Sequence, residues 1–189
     1  MVVLKKILDF YINSSLHVAL SAFSLVLMTQ YFFDVYGDYI VAFFAFFGTV
    51  VGYNFVKYDA ITRLNRTEIK KELKGIVFLS FISLLACFYF FTQLSWMSKI
   101  SAFAFFGLTL LYTLPFFPNK QNARNWKGVK IYIVGITWVG VTVILPLVEA
   151  EIPFSMDVLL MAFQRFLLIF SMVLVFDIVD VKQDDIHLQ

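Results

Sequence analysis

Long apolar stretches separated by short polar segments make up almost the whole chain. Six of these stretches approach the length of about 20 mostly apolar residues that a helix needs to cross a bilayer. Within each stretch the apolar residues follow one another and do not alternate with polar ones, so the pattern predicts helices rather than strands. The six predicted spans are residues 15–33, 39–57, 75–91, 100–117, 129–148 and 158–181.

Composition agrees with this pattern. Hydrophobic residues account for 61% of the 189 residues and charged residues for only 15%, a balance that excludes a soluble globular domain of this size. The single cysteine, Cys87, lies inside an apolar stretch, which excludes a disulfide framework and a CxxC metal site. We therefore predict an all-α protein, a polytopic transmembrane helical bundle that forms one domain over residues 1–189.

Basic residues mark every second connection between the predicted spans. Lysines and arginines precede the first span and lie between the second and third and between the fourth and fifth. The other connections are acidic or carry Lys99 as their single basic residue. Because basic loops stay on the cytoplasmic side, both termini are predicted to be cytoplasmic. The predicted location is the cytoplasmic (inner) membrane of a bacterium.

Three aspartates, Asp177, Asp180 and Asp184, occupy the end of the last predicted helix. At 100° per residue they fall within a sector of about 60° on one helix face. Their carboxylates repel one another and lie at the negative end of the helix dipole, so a bound cation would stabilise the arrangement. Oxygen ligands suit Mg²⁺, and the aspartates are candidate metal ligands and catalytic residues. The alternative is a solvated acidic tail.

A basic loop follows the fourth predicted span and contains Lys120 and Arg124. The predicted topology places this loop, the end of the second span and the end of the sixth span at one cytoplasmic mouth. Lysine and arginine beside a metal ion are suited to holding the oxygens of a pyrophosphate. Lys120 and Arg124 are therefore candidate substrate-binding residues, although each of them singly also fits the ordinary role of orienting a membrane protein.

The C-terminal sequence FDIVDVKQDD resembles the second aspartate motif, DxxDxxxD, of the UbiA-type intramembrane prenyltransferases. The stretch LYTLPFFPNKQNARNWKGVKIYIVGITWVGVTVILP is similar to the segment between helices four and five of that family. The resemblance implies a helical bundle around a cavity in which Mg²⁺ and the aspartates hold a polyprenyl diphosphate. It further implies transfer of the prenyl group to an aromatic or other lipophilic acceptor within membrane lipid. Nucleic acid is not an expected partner.

The segment GTVVGYNFVKYD stands where the UbiA family has its first aspartate motif. Asn54 matches the asparagine that opens this motif, but Phe55 and Tyr58 occupy positions where the family has aspartate. Lys57 shares the helix face of Asn54. We predict both as substrate-binding residues, with the Lys57 ammonium in contact with a phosphate. The alternative for Lys57 is a side chain that extends to the membrane interface.

Other functions stay open at this point. A degenerate, non-catalytic UbiA-like membrane protein or subunit would explain the missing aspartates of the first motif. A CDP-alcohol phosphotransferase also uses an aspartate ladder, but the residues expected around that ladder do not surround Asp177. Members of the UbiA family usually have more spans than the six predicted. The chain therefore resembles a bundle shortened at its C-terminal end, which further residues or oligomerisation would complete.

One charge lies well inside an apolar stretch. Arg165 is several residues within the last predicted span, where a charge costs roughly 2.5–3.5 kcal/mol on insertion scales and is functional by default. It is nearer to the external end of that span than to Asp177. We therefore expect the Arg165 side chain to extend outward, toward Asp157, Glu149 or Glu151.

Overall fold

Helices account for all regular secondary structure in the part of the chain that the structure describes. The computed structural model describes the backbone of residues 2–64, 71–113 and 128–187, and the side chains of residues 3–58, 73–113 and 128–175. The prediction of an all-α fold is confirmed over these ranges. The helices are α1 (Val2–Asn13), α2 (Leu16–Phe32), α3 (Ile40–Leu64), α4 (Lys71–Gln93), α5 (Trp96–Thr113), α6 (Val129–Val139), a π-helix (Gly140–Ile144), α7 (Leu145–Glu149) and α8 (Met156–His187).

Four helical stretches in the described ranges are long and apolar enough to cross a membrane, and they coincide with predicted spans two, three, five and six. A fifth candidate is the pair of α1 and α2, whose axes differ by 60°; α2 matches the first predicted span. Six spans with both termini in the cytoplasm therefore remain a prediction. The four stretches are Ile40–Tyr58, Leu73–Gln93, Val129–Glu149 and Met156–Val175.

Small side chains allow α2 and α3 to pack closely at the centre of the bundle. Ala42 and Ala45 of α3 are buried in one cluster with Val26 of α2 and Leu145 of α7. Without a strong hydrophobic driving force between helices in lipid, such close van der Waals packing is the main source of helix association. This cluster joins the N-terminal helices to the segment that carries α7.

Large apolar side chains cover the outside of the bundle. On α4, which packs mainly against α3, Phe78 and Phe88 are 65% and 68% exposed, and on α5 Phe103 is 64% exposed. In water such surfaces would aggregate, whereas in a bilayer they contact acyl chains at no cost. The exposed aromatics are thus consistent with helices that face lipid.

The connections between helices on one side of the bundle are fixed by side-chain hydrogen bonds. The Asp38 carboxylate accepts from the N–H of Ile40 at 2.8 Å and so satisfies a free donor at the start of α3. Gln30 of α2 donates to the carbonyl of Asp38 at 2.7 Å. At the start of α5, the Ser95 N–H donates to the Glu149 carboxylate at 3.0 Å. The first two bonds hold the end of α2 to the start of α3, and the third holds the end of α7 to the start of α5.

Pro146 directly follows the π-helix and the first residue of α7. Proline has no N–H, so the carbonyl of Thr142, four residues earlier, loses its α-helical donor. The Thr29 hydroxyl of α2 supplies the missing bond and donates to this carbonyl at 2.7 Å. The span Val129–Glu149 therefore stays continuous, with five residues in π geometry at its centre, because a neighbouring helix satisfies the freed carbonyl.

Gly140, the first residue of the π-helix, allows α5 to approach this segment. A Cβ at position 140 would overlap the ring of Phe105 on α5. Gly140→Ala is therefore expected to lower the free energy of unfolding by about 1–3 kcal/mol, as overpacking does. Thermal unfolding of the purified protein in detergent micelles measures this loss.

Gly107 provides the matched control for that substitution, since a Cβ there would have no atom within 4 Å. Gly107→Ala is expected to be neutral or to stabilise helix α5 by up to about 1 kcal/mol, because alanine is the better helix former. Equal thermal shifts for the two alanine variants would show that the α5 contact at Gly140 does not limit stability.

Candidate functional site

The aspartates predicted to bind metal lie on the last part of α8. This helix runs without a break over 32 residues from Met156 to His187, and its apolar part ends at Val175. The backbone at Asp177, Asp180 and Asp184 is helical, which keeps the three positions within a sector of about 60° just beyond the apolar part. Their side chains lie outside the described residues, as do Lys120 and Arg124 entirely.

Asn54 lies at the interface between α3 and α4. Its side chain is only 3% exposed, and Nδ2 donates to the Ser80 hydroxyl at 2.9 Å. The carbonyl oxygen Oδ1 is buried and has no hydrogen-bond partner among the described residues. One residue earlier, the Tyr53 hydroxyl accepts from Trp138 Nε1 of α6 at 3.2 Å. The polar groups of α3 thus link it to α4 on one side and to α6 on another.

Lys57 and Tyr58 contact the C-terminal end of α1. The Lys57 ammonium donates to the Asn13 carbonyl at 3.3 Å and to its Oδ1 at 3.4 Å, and the Tyr58 hydroxyl donates to the same carbonyl at 2.9 Å. A carbonyl at a helix end lacks a donor within its own helix, and a cation there also complements the helix dipole. Both side chains therefore serve to hold the end of α1 against α3.

Arg165 forms the centre of a buried polar network between three helices. Its side chain is fully buried; Nη1 donates to the Leu25 carbonyl and to the Thr142 hydroxyl, each at 3.1 Å. Nη2 lies 3.4 Å from the Thr29 hydroxyl, and Nε has no partner among the described residues. The guanidinium of α8 is thus held by neutral oxygens of α2 and of the π-helix.

The expectation that Arg165 extends outward is wrong. The side chain turns inward, because α2 and the π-helix offer it one carbonyl and two hydroxyl oxygens at the depth where it leaves α8. Glu149, one of the expected partners, instead accepts from the backbone N–H of Ser95. The sequence signal for this network was a threonine inside each of two apolar stretches, Thr29 and Thr142.

A groove of about 480 Å³ lies beside this network, between α2 and α8. Its walls are mostly apolar, and Met161 both lines it and brings its sulfur to 4.0 Å from Arg165 Nη2. Asp157 and Gln164 are its polar groups. The residues around it are Met28, Phe32, Phe33, Asp157, Leu160, Met161 and Gln164.

Within the described side chains, no three histidine, cysteine, aspartate or glutamate residues are grouped closely enough to hold a metal ion. The side chains of Asp177, Asp180 and Asp184 are not among these, since they lie outside the described ranges. A candidate Mg²⁺ site therefore rests on the position of Asp177, Asp180 and Asp184 along one helix.

Comparison with known proteins does not assign a family. No protein-family model matches the chain, and neither the curated proteins nor the solved structures searched contain a significant match. The resemblance to UbiA-type prenyltransferases consequently depends on the aspartate motif, on the stretch of residues 111–146 and on Asn54.

Proposed function

We propose that the chain is a UbiA-like prenyltransferase, which transfers a prenyl group from a polyprenyl diphosphate to a lipophilic acceptor in the membrane. The observation that carries this proposal is the continuity of α8 past its apolar part. An acidic tail needs no regular structure, whereas a helix that extends to His187 keeps Asp177, Asp180 and Asp184 on one face.

The chemistry of these donors fits a hard divalent cation. Carboxylate oxygens are the protein ligands that Mg²⁺ prefers, and three of them on one face leave room for the oxygens of a diphosphate. When bound, Mg²⁺ would neutralise the charge that develops on the departing diphosphate. The aspartates would hold the ion, and Lys120 and Arg124 would bind the remaining diphosphate oxygens. The apolar faces of the bundle would hold the prenyl chain.

Asn54 and Lys57 are proposed to assist the aspartates of α8 in binding the diphosphate. They lie toward the end of the apolar part of α3, Ile40–Tyr58, and the topology predicted from the basic loops brings that end to the same membrane face as the end of α8. Among the described side chains, α3 offers there the buried Oδ1 of Asn54, which no described group binds, and the exposed ammonium of Lys57. Both are proposed to contribute to diphosphate binding, directly or by positioning α1.

A non-catalytic UbiA-like membrane protein is the second candidate function. Phe55 and Tyr58 replace the aspartates of the first motif, and the structure shows that Tyr58, like Lys57, is bonded to Asn13. This end of α3 therefore contributes no carboxylate from the motif positions and uses two of its polar groups for structure. A chain with one aspartate motif that binds but does not ionise a diphosphate would fit this observation.

One experiment separates the two functions. Purified protein in lipid nanodiscs is mixed with polyprenyl diphosphates of several lengths, with Mg²⁺ or with EDTA. Binding and the release of inorganic diphosphate, in the presence of an aromatic acceptor, are then measured. For the prenyltransferase we expect Mg²⁺ to tighten binding by about tenfold or more, and diphosphate to be released. Tight Mg²⁺-dependent binding without release supports the non-catalytic protein, and absence of metal-dependent binding contradicts both.

A further inference from the structure

Helix α1 separates its polar and apolar side chains into two faces. From Val3 to Asn13, all polar residues fall within a sector of about 100° at 100° per residue. The remaining sector, of about 200°, carries seven apolar or aromatic residues. The polar residues are Lys5, Lys6, Asp9 and Asn13, and the others are Val3, Leu4, Ile7, Leu8, Phe10, Tyr11 and Ile12.

The apolar face of α1 has little cover within the described chain. Val3, Leu4 and Ile7 are 71%, 73% and 61% exposed, although they are among the most apolar residues of the helix. The contacts of α1 with the described part of the bundle include those of its C-terminal half, where Phe10 lies close to Gly75 of α4 and Asn13 accepts bonds from α3. The first two turns therefore extend away from the bundle with their apolar side chains uncovered.

The angle between α1 and α2 is held by the residues that join them. Ser14 and Ser15 are almost completely buried, and Ser15 has a left-handed backbone with φ of 60°. The resulting bend of 60° prevents α1 from continuing the α2 span in a straight line. Lys57 and Tyr58 fix the far side of the bend through Asn13. The structure thus presents α1 at a steep angle to α2, a helix without lysine, arginine, aspartate or glutamate.

We infer that α1 lies in the plane of the membrane surface and binds anionic lipid. Its apolar face is buried at the boundary of headgroups and acyl chains, and Lys5 and Lys6 contact lipid phosphates. The angle to α2, the uncovered apolar face and the two lysines on the opposite face are the features of an interfacial helix. Each lysine near an anionic surface favours the bound state about fivefold.

The membrane is a better occupant of this face than a second protein chain. A helix that packs on protein usually has an apolar stripe of about 100°, and the rest of its surface is polar. In α1 the apolar sector is about twice that width, which suits immersion in acyl chains on three sides. The exposed apolar surface also continues on α2 at Leu20, which is 45% exposed. A second copy of the chain remains an outcome that the experiment below detects.

The test compares two neighbouring positions on opposite faces of α1. Because Cys87 is the single cysteine, Cys87→Ala leaves a background into which Ile7→Cys or Asp9→Cys is introduced. Each protein is labelled with an environment-sensitive fluorophore and placed in vesicles that contain one-third phosphatidylglycerol. We expect a nitroxide near the top of the acyl chain to quench position 7 and aqueous iodide to quench position 9. The Asp9 variant thus controls for labelling and folding.

Three results would overturn the inference. Equal quenching by iodide at both positions would place α1 in water, and quenching of position 7 mainly by a nitroxide at the acyl-chain end would place it across the bilayer. Protection of position 7 from both quenchers would show that protein, such as a second copy, covers the apolar face.

The role of the lysines is tested in the same vesicles. With Lys5 and Lys6 present, the fraction of immersed α1, read from nitroxide quenching at position 7, is expected to fall when phosphatidylglycerol is replaced by phosphatidylcholine. In Lys5→Gln, Lys6→Gln protein this dependence on anionic lipid is expected to disappear, while a smaller immersion from the apolar face persists. An unchanged dependence in the double variant would refute the assignment of the lysines to lipid phosphates.

Discussion

Truncation of Arg165 to alanine is expected to lower the free energy of unfolding by about 3–5 kcal/mol, near the upper end of single substitutions. The side chain is the largest fully buried one in the described chain, and its removal leaves a cavity between α2, α8 and the π-helix. Denaturation of the purified protein in mixed micelles measures the loss. An Arg165→Ala protein that unfolds like the parent would mean that the helices close the cavity without cost.

Arg165→Met is the informative partner of that variant, since it fills much of the space without charge. The acceptors around Arg165 keep other bonds, because the Thr29 hydroxyl still donates to the Thr142 carbonyl and the Thr142 hydroxyl to the Trp138 carbonyl. Methionine also removes the desolvation cost of a cation that no described carboxylate neutralises. We therefore expect Arg165→Met to cost less than about 1.5 kcal/mol.

The two variants also separate structure from function. An ionisable residue inside a span is functional by default, yet Arg165 is enclosed by neutral oxygens and is not on the surface of the groove beside it. If packing is its role, the methionine variant retains both stability and any diphosphate binding. If the methionine variant folds but has lost diphosphate binding, the charge of Arg165 is needed for that binding. If methionine is as damaging as alanine, the hydrogen bonds of the guanidinium stabilise the bundle.

The predicted class and most helix positions follow from hydropathy, because a span must be apolar over its whole length. Residues 39–57 were predicted as a span, and the helical stretch Ile40–Tyr58 is long and apolar enough to be one. Helix α1 was not predicted, because its 11 residues from Val3 onward are too few for a span and its amphipathic pattern extends over only a few turns. Such a helix depends on the bend at Ser15 and on the bonds to Asn13, which are tertiary features.

The sequence of the last span alone does not determine which way the Arg165 side chain extends. A long basic side chain near a span end reaches water when nothing in the bundle accepts its donors. Here Pro146 frees the Thr142 carbonyl, Thr29 turns to that carbonyl, and the Thr142 hydroxyl and the Leu25 carbonyl accept from Arg165. Three distant segments must meet for this to happen, and hydropathy patterns contain no information on which helices are neighbours.

The candidate site was the least predictable part. The helical spacing of Asp177, Asp180 and Asp184 agrees with the backbone of α8, since the spacing argument needs only a continuous helix. For Asn54, sequence alone did not reveal that its amide donates to Ser80 of α4. Whether a polar side chain faces a cavity or a neighbouring helix depends on packing, which a motif does not encode.

Replacement of Asp177, Asp180 or Asp184 by asparagine is expected to weaken the Mg²⁺-dependent binding of a polyprenyl diphosphate by about 100-fold or more. Loss of a residue that only orients a metal ligand already costs about 10–100-fold, and a direct ligand contributes more. Asparagine keeps the size of the side chain and removes its charge. Binding isotherms in nanodiscs, recorded with and without Mg²⁺, measure the effect for each variant.

Asp185→Asn is the matched control for these variants. It removes one charge from the same helix, but position 185 lies at least about 80° around the helix from the other three aspartates. We expect it to leave Mg²⁺-dependent binding nearly unchanged. Equal losses in all four variants would point to a general effect of negative charge, and unchanged binding in the first three would refute their role as metal ligands.

The stability of the protein without metal provides an independent test of the proposed metal site. Carboxylates at the end of a helix oppose its dipole and repel one another, so each asparagine variant is expected to gain about 0.3–1 kcal/mol of stability in EDTA. In the parent protein Mg²⁺ should instead raise stability, and this gain should vanish with the loss of a ligand. A solvated acidic tail predicts the first effect without the second. Only a set of aspartates that is unfavourable when empty and stabilising when occupied behaves as a metal site.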